Sequence, residues 1–166
     1  MKKMKLLFSP LLLVVKVIIR VQEKNFVLQN EIDNLKSTCK VIPGALASFV
    51  GYVRDFSNGT KISSLTIEHY PGMTEKMLVD ISKNASKKWP LLGTLIIHRY
   101  GKLNINDQIV LAAAASLHRK AAFEATEYMM DYLKTSAPFW KSEKVNKDNI
   151  WVKAKLDDEF AKNRWK

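Results

Sequence analysis

The sequence predicts one α+β domain, and three observations support that prediction. The chain of 166 residues is long enough to bury about two-thirds of its unfolded surface around a single core. Hydrophobic residues make up 47% and charged residues 26% of the chain, which is ordinary for a globular protein and argues against disorder. Strand-like and helix-like patterns alternate along the sequence, without internal repeats or a glycine-rich phosphate loop.

The first sixteen residues differ from this pattern. Lysines at positions 2, 3 and 5 precede an apolar run from Leu6 to Val15, an order similar to the start of a secretory signal. No small-x-small cleavage site follows, and the run is shorter than the about 20 apolar residues that span a bilayer. We interpret residues 1–16 as an appendage or a mis-assigned start, and residues 17–166 as the domain.

The domain begins with strand, helix and strand patterns. Residues 17–22 are rich in β-branched side chains and predict a strand, whereas residues 30–36 predict a short helix with Asn30 as a possible N-cap. Small and β-branched residues at 44–54 predict the next strand. Residues 55–59 have the composition of a turn or a mobile loop.

The middle of the chain predicts three more strands around one helix. Apolar and polar residues alternate over 62–70, as in a half-buried strand. Residues 73–89 form an amphipathic helix that Pro90 ends, with one apolar stripe consisting of Met77, Leu78, Ile81 and Ala85. Strands are predicted over 93–103 and 108–117, separated by a turn. The alanines in the second of these also favour a helix, but its length and the preceding turn favour a strand.

Two lysines flank a forced change of direction near the end of the chain. Residues 119–136 predict a long helix whose inward positions are Ala122, Phe123, Thr126, Met129, Met130 and Leu133. Pro138 disfavours helical backbone at Ala137, so the helix ends there and residues 139–143 continue as a strand. Lys134 and Lys141 are therefore predicted to point at one spot, where they need an anion or lower each other's pKa. A strand-like segment at 149–155 and a charged tail follow.

The net charge of +11 predicts an acidic partner, such as a nucleic acid, a membrane surface, an acidic protein or a phosphorylated small molecule. A basic α+β nucleic-acid-binding module is therefore one alternative, although no nucleic-acid-binding motif is present. The single cysteine, Cys39, excludes an intramolecular disulfide and fits a reducing cytosol. A transmembrane span is not predicted.

Candidate ligand-binding residues lie where strands end. His118 and Arg119 stand between a strand and a helix, where the helix N-terminus favours an anion; a surface ion pair for Arg119 is an equal alternative. Arg54 ends a strand before a loop, a usual place for a ligand-facing residue, although on local sequence alone a solvated charge is favoured. The histidines at 69, 98 and 118 lack metal-ligand spacing, and no Ser-His-Asp pattern is present.

Two long motifs resemble one enzyme family. They are Glu-His-Tyr-Pro-Gly-Met-Thr-Glu at 68–75 and Met-Asp-Tyr-Leu-Lys-Thr-Ser-Ala-Pro-Phe-Trp-Lys at 130–141. Shorter matches lie at 49–54, 98–101 and 116–119. From about Val17 to its C-terminus, the chain resembles the large, catalytic subunit of molybdopterin synthase.

The resemblance implies an α/β hammerhead fold with a largely antiparallel sheet, and a homodimer of large subunits within a heterotetramer. It also implies a small ubiquitin-like partner that inserts a C-terminal Gly-Gly thiocarboxylate. Two such sulfurs convert cyclic pyranopterin monophosphate into the dithiolene of molybdopterin in the cytoplasm. Neither a metal nor an organic cofactor is implied, because the partner carries the sulfur. A scaffold that has kept only the partner-binding surface is a further alternative.

The same resemblance assigns the site residues. It implies that Lys134 and Lys141 are catalytic, and that Arg54, His118 and Arg119 hold the phosphate and pterin. Other residues of the same neighbourhood are Phe49, Tyr52, Val53, Met130, Ser142 and Glu143. In two positions the chain departs from the family, because Tyr52 replaces a commonly basic residue and Ser136 replaces a frequent arginine. The resemblance further implies that His118 and Arg119 could serve the neighbouring subunit's pocket.

Overall fold

The computed structural model describes residues 14–57, 59–152 and 156–166. These residues form ten strands and four helices, and the first thirteen residues, including most of the predicted appendage, lie outside the described part. In chain order the elements are β1 (Lys16–Gln22), α1 (Leu28–Thr38), β2 (Ala45–Tyr52), β3 (Phe56–Ser57), β4 (Thr60–Lys61), β5 (Ser64–His69), α2 (Met73–Lys88), β6 (Leu91–Arg99), β7 (Gly101–Asn104), β8 (Gln108–Ser116), α3 (Arg119–Ser136), β9 (Phe139–Val145), β10 (Asp148–Trp151) and α4 (Leu156–Asn163).

The first sheet has the strand order β1-β6-β8-β2. Strand β1 runs parallel to β6, whereas β6 with β8 and β8 with β2 are antiparallel. Helices cover both faces of the two central strands. Ile96, Ala112 and Ala114 pack against α2 and α3, while Leu95 and Ala113 belong to the core on the α1 side. Because both faces are buried, β8 is a continuous apolar run, and its alanines form a strand as predicted.

The second sheet is antiparallel throughout, with the order β10-β9-β5-β7. Its small core consists of Val53, Leu65, Ile67 and Leu103. The predicted α+β class and largely antiparallel sheet are therefore confirmed. Strands β3 and β4 form a separate hairpin in the region predicted to be a turn or loop.

The prediction of one strand over 93–103 was wrong, because the chain breaks between the two sheets at Tyr100. Strand β6 ends at Arg99 in the first sheet, and β7 begins at Gly101 in the second. Gly101 has φ 82°, a left-handed conformation that side-chain-bearing residues rarely adopt. The guanidinium of Arg99 fixes the end of β6 by donating to the carbonyls of Glu23 and Gln108, both at 2.9 Å.

We expect Gly101→Ala to lower the free energy of unfolding by about 1–2 kcal/mol, because a Cβ destabilises left-handed backbone. Urea denaturation measures the change. Gly101→Asn is the matched control and should lose less, because asparagine tolerates this conformation better than alanine. Equal losses in the two variants would contradict a conformational origin.

Three further expectations need correction. Helix α1 begins at Leu28, so Asn30 lies inside the helix and is not its N-cap; the amide of Glu31 already donates to the carbonyl of Val27. Phe123 is 65% exposed, although the other five residues predicted to face inward from α3 are buried. The charged tail includes helix α4, whose packing depends on contacts that local sequence does not reveal. Of the predicted strand at 149–155, residues 153–155 lie outside the described residues.

Candidate active site

The proline turn after α3 forms as predicted. Helix α3 ends at Ser136, and Ala137 is extended, with φ −75° and ψ 134°. Phe139 begins β9 immediately after the turn, and its amide donates to the carbonyl of Ala137 at 2.8 Å. The last turn of α3 and the first residues of β9 therefore carry Lys134 and Lys141 into the same region.

Strand β9 fixes Lys141 from both sides. Lys141 is paired with Ile67 of β5, and its carbonyl accepts a hydrogen bond from the amide of Val152 at 2.8 Å. Because side chains alternate along a strand, Phe139, Lys141 and Glu143 project from the same side of β9. The backbone thus fixes the point on β9 from which the Lys141 side chain enters the cavity.

Both lysines line a cavity of about 530 Å³ that is partly open to solvent. Its walls come from the end of β2, from the β3 region, from β5, β6, β8, the last turn of α3, β9, β10 and α4. The lining residues are Tyr52, Val53, Arg54, Phe56, Ser57, Ile62, Leu65, His98, Ile109, Leu133, Lys134, Thr135, Ala137, Phe139, Trp140, Lys141, Glu143, Trp151, Val152 and Asp158. A cationic cavity with apolar walls can bind a molecule that has both a ring system and an anionic group.

The end of β2 supplies a third cation. Val53 is buried, and its backbone is hydrogen-bonded in both directions: its amide donates to Asp107 and its carbonyl accepts from Asn106, at 2.9 and 2.8 Å. This anchor directs the next residue, Arg54, to the cavity wall. Tyr52, on the other side of the anchor, is 48% exposed and also lines the cavity.

The surroundings of Lys141 lower the pKa of its amine. Burial lowers its pKa from the ordinary lysine value, the nearby Lys134 lowers it further, and Asp158 opposes the change. The prediction that one lysine would depress the pKa of the other is therefore correct for Lys141, with burial as the larger cause. A lowered pKa makes the neutral amine of a lysine more accessible, which favours a role in proton transfer.

Lys134 is the more exposed lysine and has a carboxylate neighbour. Its Nζ lies 3.2 Å from Oδ1 of Asp158, and 48% of its side chain is exposed. Asp158 belongs to helix α4, which packs against α3. The two residues that follow α4 closely, Arg164 and Trp165, hold it there by donating to Oδ2 of Asp131 on α3, at 2.8 and 2.7 Å. The sequence analysis did not identify Asp158, because its approach to Lys134 depends on this long-range packing.

His98 is a second wall residue that the sequence analysis did not assign to the site. Its side chain is only 1% exposed, and burial together with the charge of Lys141 lowers its pKa to about 3. The ring is stacked on Phe139 with a centroid distance of 3.7 Å. Its position at the end of a buried strand was the available signal, but nothing local linked it to Lys141.

Three of the predicted neighbourhood residues do not line the cavity. Phe49 is 43% exposed on β2, whereas Met130 and Ser142 are buried in α3 and β9. Glu143 does line the cavity, together with Tyr52 and Val53. Ser136, one of the two departures from the family pattern, lies at the end of α3 outside the lining set.

His118 and Arg119 lie at the opposite end of α3 from the lysines. His118 is the N-cap of this helix and Arg119 is its first residue, and both are exposed. At 1.5 Å per residue, the helix places Arg119 about 22 Å from Lys134. Within one subunit these two residues therefore cannot share the lysine cavity.

Within residues 14–57, 59–152 and 156–166, no group of three or more His, Cys, Asp or Glu side chains could hold a metal ion. The expectation that the site uses no metal stays a prediction. In the same part of the chain, no helix is both long and apolar enough to cross a membrane.

The lysines and the arginine between apolar walls place the domain in the class of proteins with a site suited to an anionic ring compound. Comparison with known proteins makes the class specific. The sequence model of the MoaE protein family matches residues 21–136. The chain is 52% identical to the molybdopterin synthase catalytic subunit of Ralstonia nicotianae over 147 residues, which cover 89% of this chain and 83% of the relative.

Solved structures agree. The molybdopterin biosynthesis MoaE protein of Burkholderia ambifaria MC40-6 superposes with a TM-score of 0.78 at 44% identity, covering 90% of this chain and 97% of that chain. The Staphylococcus aureus molybdopterin synthase superposes with a TM-score of 0.73 at 32% identity, covering 81% and 96%. The chain belongs to the MoaE protein family.

Proposed function

We propose that this chain is the catalytic subunit of a molybdopterin synthase, an enzyme of molybdenum cofactor biosynthesis. The observation that supports this function most directly is the pairing of Lys134 with the partly buried Lys141 in one cavity of a MoaE family member. Family membership favours this function over the nucleic-acid-binding alternative. The net charge of +11 is then explained by an anionic substrate and an anionic partner tail.

The reaction converts cyclic pyranopterin monophosphate into molybdopterin. The partner is a small ubiquitin-like subunit whose C-terminal Gly-Gly thiocarboxylate carries the sulfur. In each transfer the thiocarboxylate sulfur forms a bond to a carbon of the pterin side chain, the carbon–oxygen bond at that carbon breaks, and its oxygen function leaves. Water then cleaves the bond between that sulfur and the acyl carbon of the partner, leaving an ordinary carboxylate. Two transfers give the dithiolene. The sulfur donor is a macromolecular partner, so we propose no metal or organic cofactor.

Lys134 and Lys141 stabilise the negative charge that develops in each sulfur transfer, and Lys141 also moves protons. The attack on a carbonyl-type carbon passes through anionic tetrahedral species, which the ammonium groups lining the cavity stabilise. The lowered pKa of Lys141 suits it to move protons between the substrate oxygen and the leaving group. Lys134, whose Nζ lies 3.2 Å from Asp158 Oδ1, supplies the second ammonium group that stabilises negative charge.

A neighbouring subunit completes the pocket. Arg54 lines the cavity of its own subunit, whereas His118 and Arg119 are exposed about 22 Å from Lys134. We propose that in a homodimer these two residues reach the partner copy's cavity and bind the phosphate there. The edge strand β2 and the exposed Phe123 offer an unpaired surface for the dimer within the described residues.

The remaining assignments follow from the enzyme's class. A cytoplasmic location fits the single cysteine and the biosynthetic role. We keep residues 17–166 as the synthase domain and residues 1–16 as an appendage or a mis-assigned start. Mass spectrometry of the native N-terminus tests that division.

Reconstitution tests the function. Purified protein, thiocarboxylated small subunit and cyclic pyranopterin monophosphate are expected to give a dithiolene product; the same mixture with a carboxylated small subunit is the control and should give none. A chain that yields no product and binds duplex nucleic acid in a salt-dependent gel shift would instead fit the nucleic-acid-binding alternative. A chain that binds the small subunit without forming product would fit the scaffold alternative.

A further inference from the structure

Asp158 brings a carboxylate to the lysine cavity, and no step of the proposed reaction yet uses it. Its Oδ1 accepts a hydrogen bond from Nζ of Lys134, and the two atoms lie 3.2 Å apart. Both residues line the cavity, and only 27% of the Asp158 side chain is exposed. The contact joins α3 to α4 across a separation of 24 residues in the chain. The place of Asp158 in the site therefore depends on what holds α4.

Arg164 and Trp165, which we call the C-terminal anchor, attach the end of the chain to two other helices. Nη2 of Arg164 lies 2.7 Å from Oε1 of Glu127 and 2.8 Å from Oδ2 of Asp131, both on α3. The indole Nε1 of Trp165 donates to the same Oδ2 at 2.7 Å. The carbonyl of Trp165 accepts a hydrogen bond from Nζ of Lys88 on α2, at 2.9 Å.

Aromatic packing adds to the anchor. The ring of Trp165 makes edge contacts with the rings of Trp89 and Tyr128, at centroid distances of 5.5 and 5.7 Å. Tyr128 is almost fully buried, so Trp165 packs directly against the main core. These contacts lie outside the cavity and hold α4 on α3 independently of the ion pair between Asp158 and Lys134. The position of Asp158 thus does not rely on the small free energy of one partly exposed pair.

The same contacts give the direction of α4. Asp158, in its first turn, contacts Lys134 in the last turn of α3, whereas Arg164, just beyond its end, contacts Asp131 and Glu127. These three α3 residues are spaced by three and four positions and therefore share one face of that helix. Helix α4 runs antiparallel to the C-terminal half of α3, and this orientation brings Asp158 to the cavity.

A carboxylate at this position solves a problem that two lysines in one cavity create. Their ammonium groups repel each other, and a lysine side chain has a flexible four-carbon stem. Asp158 restricts the stem of Lys134 and offsets part of the repulsion. Burial is the largest cause of the lowered pKa of Lys141 and Lys134 adds to it, whereas Asp158 opposes the change. Because an ammonium has three donors, contact with one carboxylate oxygen leaves donors for a substrate anion.

We propose that Asp158 is a positioning residue, which holds the Lys134 ammonium in the cavity and is itself held in place by the C-terminal anchor. The inference rests on the proposed role of Lys134 in sulfur transfer. It assigns Asp158 no contact with the reacting atoms. Helix α4 and the anchor then support the active site and are not a dispensable tail.

Four variants separate a positioning role from a structural one. Asp158→Asn keeps the size of the side chain but removes its charge, and Asp158→Glu restores a carboxylate. Trp165→Ala weakens the anchor and leaves Asp158 unchanged. Asp157→Asn is the matched control, because Asp157 is an exposed acid in the same first turn of α4 and does not line the cavity. Thermal unfolding identifies any variant that does not fold.

The first measurement does not depend on catalysis. A carbodiimide joins a carboxylate to an amine when the two groups are in contact, and mass spectrometry of a digest identifies the linked peptides. We expect a linkage between Lys134 and Asp158 in the native chain and in Asp157→Asn. Its yield should fall severalfold in Trp165→Ala, because α4 then opens more readily. A missing linkage in the native chain, or an unchanged yield in Trp165→Ala, would overturn the inference.

The second measurement is activity in the reconstituted enzyme. We expect Asp158→Asn and Trp165→Ala each to lower kcat by about tenfold with little change in KM, and Asp158→Glu to recover part of the loss. Asp157→Asn should keep nearly native activity. In a Lys134→Ala background, Asp158→Asn should cause no further loss, because a positioning residue acts only through the side chain that it holds.

The outcomes distinguish the inference from the proposed function. If the native chain forms product and folded Asp158→Asn matches its rate, the inference alone is wrong. A faster Asp158→Asn would also overturn it, because the carboxylate would then compete with the substrate for Lys134. An equal further loss in the Lys134→Ala background would give Asp158 a purely structural role. If the linkage forms but the native chain yields no product, the proposed function is wrong, and the positioning role fails with it.

Discussion

Lys141→Ala is expected to lower kcat for molybdopterin formation by about 10³-fold, because general acid–base catalysis contributes on this scale. Burial and the neighbouring Lys134 lower the pKa of its amine. Substrate should still bind through the remaining cations, so KM should change much less than kcat. Single-turnover product formation with thiocarboxylated partner measures the loss.

Lys134→Ala belongs to the same prediction and is expected to lose about 10²-fold or more, because it removes the second ammonium from the cavity. Lys144→Ala is the matched control, since Lys144 is an exposed lysine on the same strand as Lys141 and does not line the cavity. It should retain nearly native activity. Native rates in both Lys141→Ala and Lys134→Ala would contradict the assigned chemistry.

Isolated mixed dimers of Lys141→Ala and Arg119→Ala subunits are expected to have about half of native activity, and the unseparated random mixture about a quarter, although each variant alone is nearly inactive. Random exchange makes half of the dimers mixed, and one of the two pockets in each mixed dimer then contains only native residues. The expectation follows from the position of Arg119 at the far end of α3 from the lysines. Co-expression with two purification tags isolates the mixed species for the assay.

A second mixture serves as the control. His118→Ala and Arg119→Ala change residues that the same subunit donates, so every pocket in their mixed dimer has one defect. That mixture should not recover activity. If the mixture of Lys141→Ala and Arg119→Ala also fails to recover while remaining dimeric, then Arg119 acts in its own subunit or not at all.

The elements that sequence could predict are those set by local chemistry. Pro138 ends α3 at the expected residue, and the alternating pattern of β5 forms the expected half-buried strand. The break at Tyr100 was missed because only one residue separates β6 from β7, and only the tertiary structure shows that the two strands enter different sheets. The exposed Phe123 has the same explanation, since helical periodicity does not reveal where the partner surface ends.

The site residues divide in the same way, into those set by local sequence and those set by tertiary packing. Lys134 and Lys141 could be paired from sequence, because a single turn separates them and a family motif contains both. Asp158 and His98 could not, because they reach the cavity from elements distant in the chain. His118 and Arg119 illustrate the opposite case: the motif assigned them to the site, but the geometry of one subunit separates them from it.

The burial of Lys141 that the proposed chemistry uses also lowers the stability of the folded protein. Because its pKa is lowered in the folded state, the unfolded chain binds this proton more tightly, and folding is opposed at every pH below the lowered value. That opposition fades as the pH rises towards the ordinary lysine value of 10.5. Lys141→Met is therefore expected to raise the free energy of unfolding and to abolish activity. Improvements in heat tolerance that preserve the enzyme must come from elsewhere in the fold.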